Sequence, residues 1–171
     1  MKLQPIKFLL ASLIISCSSN PNSDKIESRE MLAFNISYVK GASDSLAFQR
    51  PYRLQILDQD TVLIYRYSYL VDSTKNMTFK FNPETQILTF GPFDLEAVEP
   101  EFFKNKELTD THFDLFNLKI PVTDGNGPML FHKEYGVLNV DNSFWTYQYL
   151  FLPEGQKNAE LAEEILKKLK E

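Results

Sequence analysis

The sequence predicts a mainly β domain of the α+β class: an antiparallel sheet, sandwich- or barrel-like, with one amphipathic helix at its C-terminal end. Three observations carry that prediction. Apolar and polar residues alternate over most of the region from Met31 onward, the period of a strand with one buried face. The runs are separated by short turn-forming stretches, and short connections favour antiparallel neighbours because parallel pairs need long crossovers. The final stretch abandons period two for three- and four-residue spacing, which is helical. At 43% hydrophobic and 13% aromatic, with 14 Phe and 8 Tyr, the composition supplies a real core and excludes a disordered chain.

The elements follow in order. MLAFNISYV (31–39) places Leu32, Phe34, Ile36 and Tyr38 on one face. YRLQILD (52–58) groups Tyr52, Leu54 and Ile56; Asp58-Gln59-Asp60 then offers a turn into the long run TVLIYRYSYLV (61–71). There Leu63, Tyr65, Tyr67 and Tyr69 share a side. MTFKF (77–81) and TQILTF (85–90) flank Asn82-Pro83-Glu84, which reads as a hairpin turn. MLFHKEYGVLNV (129–140) and SFWTYQYLFL (143–152) flank a turn expected at Asp141-Asn142. The helix is expected over about 158–170. Asn158 can cap it, Leu161, Ala162, Ile165, Leu166 and Leu169 form its stripe, and acids precede lysines in the sense that suits the helix dipole.

Between these, residues 92–124 carry three prolines and no sustained period. LEAVEPEFF has room for a short helical turn before Pro100, and HFDLFNLKI (112–120) fits a strand. A long irregular insertion of this kind often carries function.

The first residues have another character. Lys2 and Lys7 make a basic start, Phe8 to Ile15 form an apolar run broken by Ser12, and Ser16 precedes Cys17, the sole cysteine. Such a run is far short of the roughly 20 residues that span a bilayer but fits the roughly 7–15 of a signal-peptide core. One cysteine cannot form an intrachain disulfide, and with only His112 and His132 beside it a four-ligand zinc site is not supplied.

Leu13, Ile14, Ile15, Ser16 and Cys17 resemble the lipobox of bacterial lipoprotein precursors. The resemblance covers these first residues only. It implies a diacylglycerol on the Cys17 thiol, cleavage between Ser16 and Cys17, and in many bacteria acylation of the new amine. Several acyl chains on one residue hold a protein on a membrane far more firmly than one. Ser18 stands where an enterobacterial inner-membrane retention signal has Asp, so the outer membrane is the implied location. The chain then divides into a signal peptide (1–16), a lipidated N-terminus with a flexible polar linker (17–30), and a single β-rich domain (31–171).

The formal charge is −5, and loss of Lys2 and Lys7 would take it to −7. That balance excludes a nucleic-acid partner, which needs clustered cations. It also leaves anchoring to the lipid rather than to attraction between the protein surface and anionic headgroups.

No nucleophile elbow, S-x-x-K or H-E-x-x-H motif occurs, and no cofactor is implied. His112 and His132 fall in expected strands, where packing or exposure explains them better than catalysis. Asp94, Glu96, Glu99 and Glu101 could supply two carboxylates for glycosidic hydrolysis, though a solvated loop accounts for them more simply. Asp124-Gly125-Asn126-Gly127-Pro128 begins like a calcium loop but lacks its distal ligands, and reads as a turn opening the next strand. Trp145, Tyr147 and Tyr149, with Phe151, form an aromatic row, as do Tyr65, Tyr67 and Tyr69. Exposed, such rows stack on sugars or grip a protein; buried, they are cross-strand pairs, with tyrosine hydroxyls expected at the rim. Asp44-Ser45-Leu46, Asp60-Thr61-Val62 and Asp72-Ser73-Thr74 resemble the O-glycosylation acceptor pattern of exported Bacteroidetes proteins, which implies Ser45, Thr61 and Ser73 as acceptors.

These readings lead to an envelope lipoprotein acting as a non-catalytic binding or structural module, with the membrane as a partner through Cys17 and an envelope protein or glycan as a second. The alternative is a carbohydrate-binding or glycan-hydrolysing surface lipoprotein that uses Trp145, Tyr147 and Tyr149.

Overall fold

Alternating burial along successive strands curls one sheet on itself. The structure, a computed structural model, describes residues 26–37, 46–123, 125–142, 147–154 and 158–170. Among these, eleven strands join in one antiparallel sheet in the order β10-β11-β1-β2-β3-β4-β5-β6-β7-β8-β9. The strands are β1 (Ile26–Ser37), β2 (Leu46–Gln59), β3 (Val62–Tyr69), β4 (Met77–Asn82), β5 (Ile87–Phe90), β6 (Phe93–Phe103), β7 (Phe113–Leu118), β8 (Met129–His132), β9 (Gly136–Val137), β10 (Asn139–Asn142) and β11 (Tyr147–Pro153). The helix α1 spans Asn158–Leu169.

The two outer strands of this order, β9 and β10, are separated in the chain by Leu138 alone. Its amide donates to the Leu130 carbonyl of β8 and its carbonyl accepts from the Phe151 amide of β11, both at 2.8 Å. One residue therefore joins the ends of the sheet, and the result is a nearly closed barrel. Closure removes the exposed edges that an open sheet must otherwise protect. Beside this joint the Asn139 side chain, fully buried, accepts from the Leu130 amide at 2.6 Å and donates to the Pro128 carbonyl at 3.0 Å.

Tight turns explain the register. Asp60, at φ 51°, turns β2 into β3, a conformation that Asp tolerates better than most residues. The Asn82 side chain accepts from the amides of Glu84 and Thr85 at 2.9 and 3.1 Å, and the β4–β5 turn closes over it.

The interior is filled. Tyr65 and Tyr67 of β3 and Phe79 of β4 are all 0% exposed; Phe79 packs on Tyr67, and the two tyrosines meet the β8–β9 turn. The Tyr65 hydroxyl donates to the Lys133 carbonyl. The Tyr67 hydroxyl donates to the Val137 carbonyl at 2.9 Å and accepts from the Val137 amide at 2.8 Å. The β8–β9 turn thus plugs the barrel from one end, and the tyrosine hydroxyls satisfy its backbone instead of reaching the rim. From the opposite wall, Phe151 packs on Tyr52 and Tyr67 with ring centroids 5.5 and 4.5 Å apart.

The helix joins the same core through buried Leu161, Ala162, Ile165 and Leu166. Asn158 holds its start by donating to the Pro153 carbonyl at the finish of β11. Its later turns meet the finish of β6: Asn105 donates to Glu164 at 2.9 Å, and Lys168 lies 4.9 Å from the Phe102 ring. Twelve residues span about 18 Å.

Several expectations change. Strand β1 begins at Ile26, inside the stretch expected as linker, because Arg29 and Arg53 pair with Glu27 and Glu30 and let polar residues line a strand. Strand β6 runs straight through Pro100, with no helical turn. Its pairing with β7 shifts between Ala97 and Glu99 and again before Phe103, so Pro100 falls where no ladder amide is required. The expected strand over 129–140 is broken by the turn after His132, and Asp141 and Asn142 end β10 rather than forming the turn.

Candidate functional site

Because neighbouring strands alternate in direction, the barrel has two distinct ends. The near end holds the start of β1, where the chain enters at Ile26, and the finishes of β2, β4, β6, β8 and β11. The far end holds the finishes of β1, β3, β5, β7 and β10.

At the far end the β3–β4 connection is built on Asp72, whose carboxylate accepts from the Thr74 amide at 3.0 Å and the Thr74 hydroxyl at 2.6 Å. These bonds, with Lys75 adding to them, hold the carboxyl below its usual range. The connection is seated on tyrosines. The Tyr52 hydroxyl donates to the Lys75 carbonyl at 3.1 Å, and the Tyr52 and Tyr69 rings stack at 5.2 Å. Burial, and then the neighbouring Tyr149, push the Tyr52 hydroxyl up to about 12. Arg50 donates to the Tyr149 hydroxyl at 3.1 Å, and its guanidinium lies 6.0 and 5.8 Å from the Tyr69 and Tyr149 rings. Lys75 lies 5.8 Å from Tyr69. Two cations and two half-buried tyrosines thus form one platform, within the range where ring faces attract cations.

The far end also carries apolar side chains left in water. Leu70 is 47% and Val71 75% exposed on the β3–β4 connection, and Ile120 is 73% and Val122 44% exposed on the β7–β8 connection. Of the large exposed apolar residues described, only Val98 lies elsewhere.

The near end holds a groove of about 460 Å³ floored by Phe81, Phe116 and Phe131 and edged by Asp114, His132 and Lys133. His132 Nε2 lies 2.7 Å from the Thr111 hydroxyl, and Nδ1 is buried without a partner. An unpartnered N–H there would be costly, which favours the tautomer with its proton on Nε2, facing Thr111. Burial holds this imidazole below its ordinary range, against the opposing pull of Glu134, and therefore neutral. Asp114 accepts from the Glu101 amide at 2.8 Å. The polar groups of the groove thus hold β6, β7 and β8 together.

The residues singled out from sequence disperse. His112 is half-buried and follows Thr111, the partner of His132, but among the described residues no three His, Cys, Asp or Glu are grouped to hold a metal. Asp94 and Glu96 face solvent on β6, and Asp94 accepts from the Thr89 hydroxyl; Glu99 and Glu101 are also exposed. In the glycine-rich stretch, Gly127 donates its amide to the Asp141 carbonyl, and a Cβ there would lie 2.5 Å from the Asp141 carboxylate. That glycine serves a backbone approach. Thr61 and Ser73 are exposed at turns. Tyr149 belongs to the far-end platform; of Tyr147 only the backbone is described, and Cys17, Ser45, Asp124 and Trp145 lie outside the described residues.

Sequence reasoning passed over Arg50, Leu70, Val71, Ile120 and Val122. The last four had a signal: apolar pairs set among Asp, Pro and Ser, in LVDS and KIPV, where a connection has no core to face. In comparison with known proteins, this chain matches no family model, no curated protein and no solved structure.

Proposed function

We propose that the chain is a lipid-anchored protein of the bacterial envelope that works through its two ends: Cys17 holds it to the outer membrane, and the far end of the barrel binds an envelope partner without catalysis. The observation that supports this reading is the polarity of the molecule. The chain enters at the near end, at Ile26, while four of the five large exposed apolar residues described, with the Arg50–Tyr69–Tyr149 platform, stand at the opposite end. A tether at one end leaves the other free to meet a partner, and exposed apolar groups with aromatic and Arg anchors are the usual material of binding surfaces. Among the described residues, side chains of β2, β3, β4, β8 and β11 fill the interior.

Two measurements test the reading separately. Mass spectrometry of the mature N-terminus is expected to find acylated Cys17, and Cys17→Ser is expected to leave an uncleaved precursor without the lipid; an unmodified thiol on the mature chain rejects the anchor. Val71→Asp with Ile120→Asp is expected to abolish partner binding while leaving the melting temperature within a few degrees; unchanged binding rejects the far-end surface.

Glycan binding, without hydrolysis, is the second reading. Tyr69 and Tyr149 beside Arg50 offer ring faces and a cation to a sugar. Glycan-array binding lost in Tyr149→Ala would favour it.

A further inference from the structure

The β8–β9 turn plugs the barrel, and a titratable ring sits at its foot. His132 ends β8 and pairs with Gly136 across the turn. The residues between them are tied to other walls. The Tyr65 hydroxyl of β3 donates to the Lys133 carbonyl, Arg29 of β1 donates to the Glu134 carbonyl, and the Tyr135 hydroxyl donates to the Phe151 carbonyl of β11 at 3.0 Å. The His132 ring holds the remaining side. It meets the Phe113 ring of β7 edge-on, with centroids 5.9 Å apart, and Thr111 of the β6–β7 connection through Nε2. Its Nδ1 is buried with no partner. The charged groups acting on the ring are Asp114 on β7, Lys133 and Glu134 in the turn, and Arg29 on β1. The two acids favour a charged ring and the two cations oppose it, and burial decides the balance against charge.

We propose that His132 is a pH-sensitive latch on the near-end groove: while neutral it keeps the β8–β9 turn closed, and its protonation lets the turn lift and uncovers the apolar floor of the groove. A second proton on this ring has one place to go, Nδ1, and in the closed turn that N–H has no acceptor, which burial makes costly. The turn has to lift until Nδ1 meets water or the carboxylate of Glu134 or Asp114. His132 and Lys133 belong to the edge of the groove, and Phe81, Phe116 and Phe131, at 4%, 2% and 2% exposed, form its floor. Lifting the edge therefore opens an apolar surface. The direction with pH follows from linkage. The closed ring holds a proton less tightly than an ordinary imidazole, whose value is 6.5, whereas a released ring takes it up near that value. Opening is thus unaffected well above pH 6.5 and grows easier as pH falls through it, by at most about tenfold between pH 7.5 and 5.5. Neither the lipid anchor nor the far-end surface enters this inference.

The test is amide hydrogen exchange of the full chain, followed residue by residue by NMR between pH 7.5 and 5.5 and corrected for the intrinsic rate. Low urea separates local opening, which it leaves unchanged, from global unfolding, which it speeds. The amides to watch are those of Tyr135 and Val137, bonded to the His132 carbonyl and the Tyr67 hydroxyl. Their urea-independent opening is expected to rise several-fold, and by no more than about tenfold, from pH 7.5 to 5.5. His132→Gln, which carries no charge at either pH, is expected to remove the rise, and His112→Gln to keep it. Imidazole nitrogen shifts of the unaltered chain are expected to show the neutral Nε2–H form at pH 7.5, and they decide the matter should His132→Gln not fold. A ring that titrates at the ordinary value with no change in exchange overturns the latch. So does a rise that persists in His132→Gln, or one that appears only in urea-dependent exchange.

Discussion

Tyr67 is the side chain on which the filled interior turns. Its ring is fully buried, and its hydroxyl both donates to and accepts from the backbone of Val137. Tyr67→Phe keeps the ring and strands those backbone groups in the core, which costs about 1–3 kcal/mol. Urea denaturation is expected to show the loss as a lower midpoint with an unchanged slope; an unchanged midpoint would mean that Val137 finds another partner. The buried tyrosines also set an alkaline limit. Burial raises the hydroxyls of Tyr65, Tyr67 and Tyr135 above the ordinary 10.0, and that of Tyr52 to about 12. The folded chain keeps these protons after the unfolded chain has lost them. Stability is thus level below pH 10 and falls as pH rises through and beyond it, by about 1.4 kcal/mol per pH unit for each of Tyr67 and Tyr135. Denaturant unfolding measured from pH 8 to 11 checks the sign; stability level across that range would mean these hydroxyls ionise in the folded state.

Among the elements, the β8–β9 turn shows best what the sequence made legible and what it hid. Period-two alternation identified β3, β4 and β5 closely and the second half of β2 (Leu46–Gln59), because each has one face in the core and one in water. It failed at β8, β9 and β10, where Met129, Leu130 and Phe131 and then residues 135–140 are all buried. A segment covered on every side loses the polar half of its pattern, and a run of buried residues cannot announce the turn within it. Gly136 marks that turn. It sits at φ 97°, and a Cβ there would lie 2.6 Å from the Tyr67 hydroxyl and 3.2 Å from the Tyr65 ring. Gly136→Ala is expected to lower stability by about 2–4 kcal/mol, from backbone strain and overpacking together. Gly91, at φ 57° with nothing within 4 Å of its Cβ position, is the control, and Gly91→Ala should cost only the strain, about 1–2 kcal/mol. Equal losses in thermal unfolding would mean that the plug yields easily. The candidate platform was half legible: Tyr149 belongs to an aromatic row visible in the sequence, whereas Arg50 and Lys75 join it only through strand pairing, which brings together residues up to 99 positions apart.

At the scale of the molecule, closure ties distant segments into one cooperative unit, and it depends on a polar residue in an apolar run. A single asparagine in VLNV looks like a weak point in a strand. In the barrel Asn139 supplies the bonds that the ladder lacks where β8 passes to β10, through the Leu130 amide and the Pro128 carbonyl. Asn139→Ala leaves the buried Leu130 amide without its partner and frees the part-buried Pro128 carbonyl, and the expected loss is about 1–3 kcal/mol, the cost of one unsatisfied buried group. The distribution of the loss matters more than its size. If the ring is held at this joint, the Leu130, Leu138 and Phe151 amides should exchange with deuterium by a local opening that leaves β3 and β4 protected, since structures open first where their stability is least. If the barrel behaves instead as an open sheet whose ends merely touch, the variant will exchange uniformly faster everywhere. Hydrogen exchange followed residue by residue by NMR separates the two outcomes, and uniform acceleration would remove closure at Leu138 as the organising contact of the fold.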